Sequence, residues 1–136
     1  MGRNVTSSHP SPGDLRALAL IRISLLVGVL IFGALTWWLQ RAGDRPPSDP
    51  ASLRTLRTAG FAIWAAALAL LGFLRTRLAG LSESARRSYL VIGWGVAEAV
   101  ALFGGVVYFL TGDPRWYLAG LFFMIGSFLV FPLRRA

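Results

Sequence analysis

The 136-residue chain has no cysteine, no lysine and one histidine, and only six of its residues are acidic. Each shortage excludes something. Without cysteine there are no disulfides and no thiolate metal sites. His9 lies in a polar N-terminal stretch beside Pro10, so no apolar run holds an imidazole. The usual side-chain ligands for haem, chlorophyll or a transition metal are therefore missing from the hydrophobic part of the chain, and neither a metal nor another cofactor is expected. All basic charge resides in fourteen arginines, most of them clustered at the ends of apolar runs. That distribution is a topology signal, and it argues against a nucleic-acid partner despite the net charge of +8. No loop brings together the His, Cys or paired carboxylates of a catalytic dyad or triad, so an enzyme is not expected.

What the chain does have is apolar surface. Hydrophobic residues make up 55% of it and charged residues 15%. A soluble domain of this size cannot hide so much apolar area in one core, whereas a bilayer removes the need to. The expected fold class is all-α: an integral membrane four-helix bundle with spans at about 15–40, 58–78, 88–111 and 116–133, each near the length a bilayer requires. Residues 1–14 are polar and rich in Ser, Pro and Gly, the composition of a disordered tail. The run that follows lacks a small-residue cleavage site and reads as a retained helix rather than a signal peptide.

The connections carry local signals. Asp49-Pro50 suits a helix N-cap followed by a first helical position, and residues 53–57 suit a turn at the membrane surface. Thr111-Gly112-Asp113-Pro114 can end one helix in a left-handed glycine, cap the next and start it, which makes the last two spans antiparallel neighbours. With four spans, one side carries Arg3, Arg16, Arg75, Arg77, Arg86, Arg87, Arg134 and Arg135, and the other Arg41, Arg45, Arg54, Arg57 and Arg115. The excess favours both termini in the cytoplasm of a bacterial inner membrane. Trp37, Trp38, Tyr108, Trp116 and Tyr117 then fall at the outer interface, where amphipathic rings anchor. Ile31-Phe32-Gly33-Ala34 with Trp37-Trp38 resembles Leu102-Phe103-Gly104-Gly105 with Tyr108-Phe109, so a duplicated helical hairpin competes evenly with chance similarity between apolar helices.

Two features of the third span stand out. Gly93, Ala97, Ala101 and Gly105 recur every four residues, a ladder over which another helix can pack closely, and the alanines of span two offer a receiving surface. Ordinary bundle packing and association with another subunit both fit that ladder. Glu98 lies on its edge, the one charge in the run Tyr89–Leu110. A carboxylate at a helix centre in lipid costs roughly 2.5–3.5 kcal/mol on insertion scales. Glu98 is expected at a helix interface, either as a protonated carboxyl hydrogen-bonded to a carbonyl or hydroxyl, or as a carrier of a proton or cation. Arg22, about two turns into span one, is expected to snorkel to the near surface; pairing with Glu98 is the alternative.

The stretch Gly93-Trp-Gly-Val-Ala-Glu98-Ala99-Val-Ala-Leu102-Phe103-Gly104-Gly105-Val106-Val107 resembles the carboxylate-bearing helix of the rotary ATP synthase c subunit, over about 20–35 residues. The resemblance implies that Glu98 matches the ion-carrying glutamate of that family. In place of the family's ring-closing glycine repeat, span two has scattered alanines with only Gly60 and Gly72. The expected function is a small non-catalytic accessory subunit within a larger respiratory or photosynthetic complex, in contact with lipid and other membrane subunits. The alternative is c-subunit-like or small-transporter-like ion translocation at Glu98.

Overall fold

The computed structural model describes residues 12–43, 49–78 and 80–131, and these form four helices. They are α1 (Pro12–Ala42), α2 (Pro50–Arg77), α3 (Glu83–Thr111) and α4 (Arg115–Val130). The polar tail up to Ser11, with Arg3, lies outside the described residues, as do Arg45, Arg134 and Arg135.

Local chemistry sets the helix ends. The Asp49 carboxylate accepts from the Ser52 N–H at 3.2 Å and Pro50 takes the first helical position, so α2 starts eight residues before the expected span and absorbs the surface turn. Gly112 ends α3 with φ of 75°, its N–H donating to the Tyr108 carbonyl at 2.8 Å. Asp113 then accepts from the Arg115 N–H at 3.0 Å and sets α4 going.

Three helices, α1 to α3, are long and apolar enough to cross a membrane; α4 is apolar but shorter. Its 16 residues rise about 24 Å, against a hydrocarbon core of about 30 Å. Hydropathy alone extends this span to about Leu133. The helix stops instead at Val130, with Phe131 at φ −113° and ψ 68°, because Pro132 disfavours helical geometry in the residue before it.

α3 is the hub. Arg87, Glu98 and Gly105 face α1, while Gly93 and Phe103 face α2. At 100° per residue these two sets lie on opposite sides of α3, so α1 and α2 flank it and make no extensive contact with one another. α4 lies along a third side, packed closely on α3. The α3–α4 pair is a tight hairpin; α1 and α2 do not repeat it. At one end of the bundle Asp14 pairs with Arg87 at 3.0 Å. At the other, the Gln40 amide donates to the Tyr108 and Phe109 carbonyls and so satisfies groups that the end of α3 leaves open.

Candidate functional site

The small-residue ladder of α3 is buried along its whole length, but it serves three neighbours. A step of four residues turns 40° around a helix, so the ladder winds across α3. Gly93 meets Leu71 of α2 and Phe131; Ala101 meets the backbone of Gly120 on α4; Gly105 meets Phe32 of α1. Gly104 lies directly against the Trp116 backbone. The receiving surface for α3 is therefore mainly α4. Of the α2 alanines only Ala67 is buried, while Ala62, Ala65, Ala66 and Ala69 are exposed. Helical phase explains the difference: Gly60, Ala67 and Leu74 are seven apart and point inward, and the other alanines fall between them.

The aromatic residues at the Gln40 end divide into three groups. Trp37 and Trp38 are exposed, with the Arg41 guanidinium 3.9 Å from the Trp37 ring centre. Trp116 is half-buried against Gly60 and stacks edge-on with Phe61. Tyr108 and Tyr117 turn inward, with ring centres 6.4 Å apart. The Tyr117 hydroxyl donates to the Val29 carbonyl at 2.9 Å. Gly33 makes this possible, since any side chain there would overlap the Tyr117 ring. The bond satisfies a phenol that would otherwise be buried without a partner.

Glu98 sits midway along α3, half-buried, with a carboxylate oxygen 3.9 Å from where a Cβ on Gly28 of α1 would stand. It forms no hydrogen bond or ion pair among the described residues. Arg22 does not reach it: its guanidinium lies 4.4 Å from the Phe128 ring centre, a cation–π contact between α1 and α4. One turn before Glu98 the fully buried Trp94 leaves its indole Nε1 unpartnered and packs edge-on against Phe128. Where α1 and α3 face one another the Glu98 carboxyl thus has glycine opposite it. Among the described residues no group of three or more His, Cys, Asp or Glu side chains comes together to hold a metal.

A second feature lies on the outward side of α2. Thr55, Thr58, Ala62, Ala65, Ala69, Gly72 and Thr76 alternate at spacings of three and four, and all seven are exposed. The hydroxyls of Thr55, Thr58 and Thr76 bond to carbonyls of their own helix, which leaves the seam smooth and without a free polar group. The alanines stand out in the sequence by composition; the spacing does not. The 3-4 period was the available signal, and it becomes visible once the threonines are counted with the alanines.

No protein-family model, curated protein or solved structure matches this chain.

Proposed function

We propose that the protein is a multi-pass protein of a bacterial inner membrane, with α4 as a fourth, shorter span and both termini cytoplasmic. In this reading it is a small non-catalytic subunit that packs within a larger energy-transducing complex, respiratory or photosynthetic. The observation that carries the reading is the outward seam of α2. Elsewhere the outward faces show large side chains suited to lipid, such as Leu20, Ile31 and Trp38 on α1 and Phe122 and Leu129 on α4. Six small residues in that exposed line favour a different neighbour, while Gly72 at its edge borders the space beside α4. Lipid gives helices no hydrophobic reason to associate, so they do so where small side chains let backbones approach. A 3-4 spacing keeps such a line facing one partner helix over many turns.

The test is gentle detergent extraction of the tagged native protein, then mass analysis of what accompanies it. Large membrane subunits in fixed stoichiometry are expected, and the double variant Ala65→Leu/Ala69→Leu is expected to lose them while its helical circular dichroism is unchanged. Recovery of the wild type alone and monomeric would end this reading.

Glu98 supports a second one. Intramembrane carboxylates lean towards function, and this one has no partner to neutralise it among the described residues. On this account the protein carries a proton or cation in the manner the c-subunit resemblance implies. Glu98→Gln should then abolish proton- or substrate-driven flux in liposomes, and unchanged flux would exclude the role.

A further inference from the structure

Between α2 and α4 the packing is loose. At mid-height the rings of Trp64 and Phe123 meet with centres 4.9 Å apart. From that ring pair a groove of about 320 Å³ runs towards the end of the bundle where Asp14 and Arg87 pair. Gly72 stands on one wall and Gly126 on the other, and a Cβ added at either would meet nothing. Glycine in a helix interior is unfavourable by about 1 kcal/mol relative to alanine, so it usually marks a close backbone approach. Here neither glycine serves one. Together they hold a slot open. The hydroxyl in the wall, Ser127, is committed to the Met124 carbonyl at 2.7 Å, so the interior is apolar in character. Arg75 stands at the mouth with no acidic partner among the described residues.

We infer that this groove is a binding site for an anionic phospholipid, one acyl chain lying between α2 and α4 against Gly72 and Gly126 and the phosphate on Arg75. The dimensions agree. From Arg75 to Leu68 is seven residues, about 10 Å of helix, which reaches from a bilayer surface most of the way through one leaflet of about 15 Å. Charge selects among lipids: an arginine near the membrane surface favours an anionic headgroup about fivefold. A second helix fits less well, because the Trp64–Phe123 pair closes the groove halfway along. The inference rests on the membrane placement proposed above and not on the accessory role.

The experiment reconstitutes the full chain in bilayers of equimolar phosphatidylglycerol and phosphatidylethanolamine, extracts it gently, and reads retained lipid by native mass spectrometry. One retained lipid with a preference for phosphatidylglycerol is expected. Arg75→Gln should lower that preference about fivefold while lipid is still retained. Gly126→Leu should fill the slot and remove retention of both lipids, with helical content unchanged since the added side chain meets open space. Equal retention in wild type and Gly126→Leu would overturn the inference, as would a second copy of the chain recovered in place of lipid. A protein that fails to enter the bilayer at all would instead overturn the membrane placement.

Discussion

α4 packs against α3 and against α2 in two different ways, and glycine is central to both. On the α3 side Gly104 and Gly120 let backbones touch: a Cβ on Gly120 would stand 2.7 Å from the Ala101 Cα. On the α2 side Gly72 and Gly126 face open space, and contact passes through the Trp116, Trp64, Phe61 and Phe123 rings. The same residue type closes one seam and opens the other. The consequence is uneven burial: half of the most apolar stretch of α3 is buried, against 17% for α1 and for α2. A glycine in an apolar helix therefore carries no meaning until its neighbour is known.

The contrast can be broken at its tight side first. Gly120→Leu drives a large side chain into the α3 backbone, and overpacking of this kind costs about 3 kcal/mol or more. Loss of cooperative unfolding in detergent, followed by circular dichroism against denaturant, is the expected result; a midpoint equal to wild type would mean that α3 and α4 are not in backbone contact. The loose side sharpens the comparison with a small effect. Gly126→Ala should leave stability unchanged or raise it by up to about 1 kcal/mol, since alanine is the better helix former and its methyl meets nothing. A clear loss of stability there would show that the α2–α4 groove is closed.

Much of the fold is legible from short-range chemistry. Asp49-Pro50 and Gly112-Asp113 mark helix ends because capping needs only residues within a few positions of one another. At the far end of α4 two signals diverge: hydropathy continues through Leu133, whereas the helix ends at Val130, ahead of Pro132. Partner choice is harder to read. The ladder from Gly93 to Gly105 can be found by spacing, but nothing local says that Gly120, fifteen residues beyond its end, will meet Ala101 ahead of the alanines of α2. Tyr108 and Tyr117 likewise fall near an end of their helices by position alone. Which way they turn depends on Gly33, whose bare backbone gives the Tyr117 hydroxyl access to Val29 from 88 residues away. The setting of Glu98 is similar: the carboxylate is conspicuous in sequence, and Gly28 opposite it is not.

The arrangement of α1 and α2 about α3 also fixes an order in time. Synthesis delivers α1 and α2 first, yet neither offers the other an extensive face to pack on. In the membrane placement proposed above, α1 stands as a separate helix for some 40 to 70 residues of further synthesis before α3 emerges, about 2–14 seconds at about 5–20 residues per second, and α2 for only about 6 to 34 residues. During that interval Arg22, nearly three turns from the start of α1, has no Phe128 ring beneath it, and in the proposed membrane placement its long side chain must reach back towards the near surface.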